Sequence, residues 1–63
     1  MSQSYEDEDL SDFLQALDES SVEVTDWESK FIASNIDAIQ FSDAQRESIQ
    51  EMIGRYGNRI GWL

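Results

Sequence analysis

The sequence contains no cysteine, no histidine and no proline among its 63 residues. Without cysteine there is no disulfide, no thiolate zinc site and no cysteine nucleophile. Without histidine the chain lacks the commonest general base and the commonest metal ligand. Its apolar runs are only two or three residues long, so we expect neither a transmembrane helix nor the apolar core of a signal peptide. The composition therefore predicts no cofactor and no membrane attachment.

Basic residues are scarce, since four Lys or Arg stand against 14 Asp or Glu and the formal net charge is -10. Residues 1–29 hold ten acids and no base, whereas residues 30–63 hold four of each. Nucleic acids and anionic membranes attract basic surfaces, so direct binding to either is not expected. The asymmetry is typical of an acidic interaction surface and predicts a protein partner with a basic surface.

The length permits a single domain with a small core. Residues 1–9 are polar and dense in negative charge, which predicts an acidic, disordered tail. Residues 10–63 are then the single small helical domain. A core of this size without disulfide or metal gains stability from self-association, which leaves a homodimer open.

An apolar stripe predicts the first helix. Leu10, Phe13, Leu14 and Leu17 follow the spacing i, i+3, i+4, i+7, which is one face of an amphipathic helix over about residues 10–18. Such a short helix is unstable alone and needs a surface to cover it. The stripe either completes the core of this chain or docks on a partner.

Two stronger helices follow, over about residues 26–39 and 43–56. Thr25 to Glu28 and Ser42 to Gln45 both match the capping box, in which two side chains satisfy free amides at a helix start. Gly57 stands where a left-handed C-cap is expected. The short connection predicts a helical hairpin, and the first helix completes an all-α three-helix bundle. The expected apolar face of the second helix comprises Trp27, Phe31, Ile32, Ile36 and Ile39.

Catalytic and metal sites are not predicted. A carboxylic acid that acts in catalysis needs a raised pKa, usually from burial in a cleft, and a small helical domain has little interior for one. Asp7, Asp9 and Ser11 alternate as in a calcium loop, but Asp12 stands where such a loop requires glycine and Asp18 where it requires a bidentate Glu. We therefore interpret the chain as a non-enzyme without a metal.

The candidate site is a partner-binding surface with two kinds of residue. Carboxylates would steer a basic partner, and buried apolar side chains would anchor it. The acidic candidates are Glu6, Asp7, Glu8, Asp9, Asp12, Asp18 and Glu19. The apolar candidates are Phe13, Leu14, Leu17 and Trp62.

The helical hairpin resembles a module of small phage and prophage accessory proteins. The resemblance spans roughly residues 25–57 and rests on core and cap positions: Asp26-Trp27-Glu28, Phe31-Ile32, Ser34, Phe41-Ser42, Gln45, Ile49, Met52-Ile53 and Tyr56-Gly57. It implies a phage-type accessory or host-takeover protein in the bacterial cytoplasm. It carries over no catalytic or binding residue.

Together these observations predict a non-catalytic acidic module that binds a protein of nucleic-acid metabolism or defence, either as an inhibitor or as a DNA mimic. One alternative is a self-associating structural module. Another is a helix-turn-helix regulator, in which the start of the last helix would face a DNA groove. Its groove-facing candidates are Gln45, Arg46, Ser48 and Gln50.

Overall fold

The computed structural model describes residues 5–62, which form three α-helices and no strand. Helix α1 spans Asp7–Glu19, α2 spans Asp26–Asn35 and α3 spans Asp43–Tyr56. The predicted all-α three-helix bundle is confirmed. Residues 1–4, the first part of the predicted tail, lie outside the described residues, as does residue 63.

Helix α1 begins three residues before its predicted start and includes Asp7, Glu8 and Asp9, which the sequence analysis assigned to a disordered tail. Three acids in the first turn suit the positive end of the helix dipole. The backbone amide of Glu6, the N-cap residue, donates to the Asp9 carboxylate at 3.4 Å. Local charge therefore stabilises this helix start, where repulsion between the acids had been expected to prevent one.

Helix α1 packs against both α2 and α3, and no Cα atom of α2 lies within 8 Å of a Cα atom of α3. The two helices of the predicted hairpin therefore keep their backbones apart, and α1 packs against both. The physical reason is that α1 has a larger buried apolar face than α2. Helix α1 buries the whole stripe from Leu10 to Leu17, whereas α2 buries only one large apolar side chain, Ile32.

The core gathers apolar side chains from all three helices and from the connection between α2 and α3. Tyr5 and Trp62 pack against its ends and are half-buried. No helix among residues 5–62 is both long and apolar enough to cross a membrane. The fully or nearly fully buried apolar residues are Leu10, Phe13, Leu14, Leu17, Ile32, Phe41, Ile49, Met52, Ile53 and Tyr56.

Helix α2 ends at Asn35, four residues before its predicted end at residue 39. The amide of Ala38 donates to the Asn35 carbonyl at 3.0 Å, a tighter turn that replaces the next helical hydrogen bond. Phe41 then enters the core, while Ile39, predicted as a core residue, is 83% exposed. The connection over residues 36–42 is thus longer than the sequence suggested.

The predicted left-handed cap at Gly57 is also wrong. Gly57 keeps right-handed helical angles, with φ −55° and ψ −41°, and the positive φ of 75° falls instead at Gly61. Between them the chain turns back, and the amide of Trp62 donates to the Gly57 carbonyl at 2.8 Å. This turn brings the Trp62 ring edge-on to Phe13, with ring centroids 5.6 Å apart.

Candidate interaction surface

The outward side of α1 carries exposed carboxylates opposite the buried stripe. We call this set the α1 acidic face. Since the stripe fixes the rotation of the helix, the acidic residues hold a defined arrangement along about 16 Å, at a rise of about 1.5 Å per residue. The members of the α1 acidic face are Glu8, Asp9, Asp12, Asp18 and Glu19. The predicted acidic residue Glu6 is exposed just before the helix.

Asp7 differs from the other predicted acidic residues because it has an internal cation partner. Arg46 Nη2 lies 2.6 Å from Asp7 Oδ1, and Arg46 Nη1 donates to the Tyr5 carbonyl at 3.2 Å. The Asp7 side chain is only 25% exposed. We therefore assign Asp7 chiefly to the attachment of α1 to α3.

A shallow groove of about 200 Å³ runs beside the α1 acidic face. Ile39 projects from the connection between α2 and α3 and forms the apolar side of the groove. The other lining residues come from the first two turns of α1. They are Asp7, Glu8, Ser11 and Asp12.

Three of the four predicted apolar anchors are core residues. Phe13 and Leu14 are fully buried and Leu17 is 3% exposed. The stripe was predicted either to complete the core or to dock on a partner, and in the structure it packs within the chain. Trp62, the fourth predicted anchor, is half-buried against Phe13. None of these side chains forms an exposed anchor on the folded surface.

The exposed aromatic is instead Trp27, which the sequence analysis placed in the core. Its side chain is 59% exposed, and its ring stacks on Phe31 with centroids 5.2 Å apart and an interplanar angle of 17°. The buried stripe of α2 consists of Glu28, Ile32 and Asn35 at i, i+4 and i+7, which turns Trp27 outward. These three positions share one helical face, but an apolar pattern does not identify that face because Glu28 and Asn35 are polar.

Burial of Glu28 is possible because several donors satisfy its carboxylate. Oε1 accepts from the Thr25 amide at 2.9 Å and from the Tyr56 hydroxyl at 2.6 Å, while Oε2 accepts from Arg55 at 2.5 Å. Burial raises the pKa of Glu28, but these hydrogen bonds and the Arg55 charge outweigh it and lower the pKa. The hydrogen bond to Glu28, together with burial, raises the pKa of Tyr56.

Two of the proposed DNA-reading residues are engaged by other groups of the same chain. Gln45 Nε2 donates to Asn35 Oδ1 at 3.1 Å, and Gln45 Oε1 accepts from the Ser42 amide at 2.8 Å. Arg46 is engaged with Asp7 and with the Tyr5 carbonyl. The connection over residues 36–42 is also longer than the three- or four-residue turn of a helix-turn-helix unit. This geometry disfavours the helix-turn-helix alternative.

Among residues 5–62, no three carboxylates converge in an arrangement that would hold a metal ion. No family model matches the chain, and comparison with curated proteins and with solved structures finds no match either. The resemblance to phage helical proteins therefore stays a prediction.

Proposed function

We propose that this protein is a non-catalytic module that binds a basic surface of another protein through the α1 acidic face. The observation that supports this function is the placement of five exposed acidic residues on one helix whose opposite side is buried in the core. Residues 5–29 contain no Lys or Arg that would neutralise them locally. Of the seven predicted acidic residues, only Asp7 has a close cation, Arg46.

The properties of Glu28 support a non-catalytic role. Glu28 is the one carboxylate among residues 5–62 that is buried, with 2% of its surface exposed. A general acid at neutral pH needs a raised pKa, whereas the pKa of Glu28 is lowered. Its oxygens are occupied by donors that tie α2 to α3, so we assign Glu28 to folding.

An acidic face contributes mainly to the rate and the selectivity of association. Complementary charge raises the association rate and suppresses binding to other acidic surfaces. Salt screens exposed charges over about 10 Å at 0.1 M ionic strength. Binding by the α1 acidic face is therefore expected to weaken as salt increases, chiefly through slower association.

The experiment compares two triple variants with equal loss of charge. One neutralises three of the five members of the α1 acidic face, as Glu8→Gln, Asp12→Asn and Glu19→Gln. The control neutralises exposed acids elsewhere, as Asp37→Asn, Glu47→Gln and Glu51→Gln. Each immobilised protein is used to capture proteins from a bacterial lysate at low salt, and the captured protein is identified, purified and measured for affinity at several salt concentrations.

We expect the first variant to lose most of the binding and its salt dependence, while the control keeps both. Neutralisation by amides preserves side-chain shape, so circular dichroism should show the same fold for all three proteins. Equal losses in both variants would indicate attraction by net charge alone. Capture that is unaffected by either variant would exclude the α1 acidic face as the binding surface.

DNA mimicry is a second candidate, supported by the placement of Asp9 and Asp12 within a regular helix. A mimic must hold its carboxylates at fixed spacing, and a helix packed on a core provides that. A mimic occupies the DNA channel of its target, so duplex DNA should displace it from the captured protein. A ternary complex of protein, target and DNA would exclude mimicry and leave simple docking.

A further inference from the structure

Trp27 is the large aromatic side chain with the greatest exposure among the described residues, and its position is fixed. It lies in the first turn of α2, and its ring stacks on the half-buried Phe31 below it at 5.2 Å. The stacking restricts the rotamers of Trp27, so a ligand would lose little entropy in ordering the ring. Exposed tryptophans with a packed base are frequent centres of protein interfaces.

The charge around Trp27 indicates what it binds. Glu23 and Asp26 precede it and are exposed, whereas Lys30, one turn later, is the single base nearby in the sequence. These three exposed groups sum to one negative charge, and the chain as a whole has a net charge of -10. That total charge repels a second copy of this chain and attracts a basic partner.

We propose that Trp27, supported by Phe31, binds an arginine side chain of the basic protein partner. This inference rests on the proposed function and names the chemistry of the contact. Arginine fits better than lysine because its guanidinium is planar, weakly hydrated and able to stack on an indole ring. Glu23 and Asp26 are exposed acids four residues and one residue before Trp27, and carboxylates are the acceptors that match a guanidinium edge.

The test uses the full chain and two defined probes, hexa-arginine and hexa-lysine peptides, at low salt. Calorimetry on the unmodified protein gives the ratio of the two affinities. Fluorescence of a Trp62→Phe protein, in which Trp27 is the only indole, reports contact with the ring. We expect hexa-arginine to bind about two- to fivefold more tightly and to change Trp27 emission more strongly.

Carboxylates alone also favour arginine over lysine to some extent. The decisive quantity is therefore the change in the ratio of the two peptide affinities between the parent protein and each variant. Trp27→Leu keeps an apolar side chain and removes the ring, and should bring the two affinities close together. Trp27→Phe keeps a weaker aromatic face and should retain part of the preference. Trp27 is exposed, so circular dichroism should show both variants folded.

The outcomes separate this inference from the proposed function. If both peptides bind and the arginine preference is the same in the parent protein and in the Trp27→Leu variant, the role of Trp27 is wrong, while docking by the α1 acidic face stands. The same conclusion follows if the parent protein does not distinguish the peptides. If neither peptide binds at low salt, both the inference and the basic-partner hypothesis are overturned.

Discussion

The hydroxyl of Tyr56 donates a 2.6 Å hydrogen bond to Oε1 of Glu28 and so joins the last residue of α3 to the first turn of α2. At the opposite ends of the same helices, Gln45 Nε2 donates to Asn35 Oδ1 at 3.1 Å. The two backbones do not approach each other closely, and α1 packs against both. Side-chain hydrogen bonds therefore join a helix pair whose Cα atoms stay more than 8 Å apart.

The hydroxyl of Tyr56 should stabilise the fold measurably. Tyr56→Phe leaves the ring in place but removes a donor from a buried carboxylate, which typically costs about 1–3 kcal/mol of unfolding free energy. Urea denaturation followed by circular dichroism would measure the loss. Tyr5→Phe is the matched control. Tyr5 is half-buried, and its hydrogen bond from Arg46 goes to the backbone carbonyl, which the substitution leaves in place. Similar losses in the two variants would contradict a specific role for the Glu28–Tyr56 pair.

Glu28 should make stability depend on pH on the acidic side. Its pKa is lower in the folded state than in the unfolded chain, so its contribution is complete above the unfolded pKa and is lost as pH falls through the folded pKa. Glu28→Gln removes this titration. The stability difference between parent and variant should be largest at neutral pH and shrink below about pH 4 to 5. Unfolding free energies measured from pH 7 to pH 2 test this.

A constant difference across that range would show that Glu28 does not titrate with a shifted pKa. The comparison with Glu28→Gln is necessary because the chain has 14 acidic residues. Protonation of the exposed acids also relieves repulsion between them and changes stability in both proteins. Only the difference between the two curves reports Glu28.

The starts of α2 and α3 and the helical class were predictable because their signals are local. The capping boxes at Thr25 and Ser42 lie within four residues of sequence, and both are formed. The rotation of α2 was not predictable in this way. Glu28 and Asn35 count as surface residues in any apolar pattern, and they are buried because Tyr56 and Gln45, distant in sequence, satisfy them.

The exposed acidic residues of the candidate surface were predictable from the sequence, whereas the apolar anchor residues were not. Exposure of the acids follows from the cost of burying unpaired carboxylates. The stripe of Phe13, Leu14 and Leu17 has the same spacing whether it covers a core or docks on a partner. The stripe covers the core here because α1 packs against both α2 and α3. Helix α1 takes that position because α2 offers little apolar surface of its own. Exposure of Trp27 follows from the same rotation of α2.

Core and surface aromatics should respond differently to truncation. Phe13→Ala removes a fully buried ring and should cost about 3–5 kcal/mol, which a domain of this size does not tolerate. Trp27→Ala removes an exposed ring and loses mainly its stacking on Phe31, about 0.5–1.5 kcal/mol. Thermal melts followed by circular dichroism compare the two. A folded Phe13→Ala protein alongside an unfolded Trp27→Ala protein would reverse the assignment.

The ion pair of Asp7 and Arg46 should contribute little free energy. The two side chains are 25% and 35% exposed, and pairs at this level of exposure couple by about 0.2–1 kcal/mol. A double-mutant cycle with Asp7→Asn and Arg46→Gln, measured by urea denaturation, isolates the coupling. The coupling should fall when salt is raised. A coupling above about 2 kcal/mol would indicate a buried, strongly desolvated pair.

The glycines of α3 and of the C-terminal turn should respond to alanine in opposite directions. Gly54 is exposed inside α3, and a Cβ added there meets no atom within 4 Å, so Gly54→Ala should stabilise the protein by about 0.5–1 kcal/mol. Gly61 also has open space, but its φ of 75° strains any residue with a Cβ. Gly61→Ala should therefore cost about 1–2 kcal/mol. Because neither site is crowded, opposite shifts in urea midpoint would isolate the backbone effect, and equal shifts would contradict it.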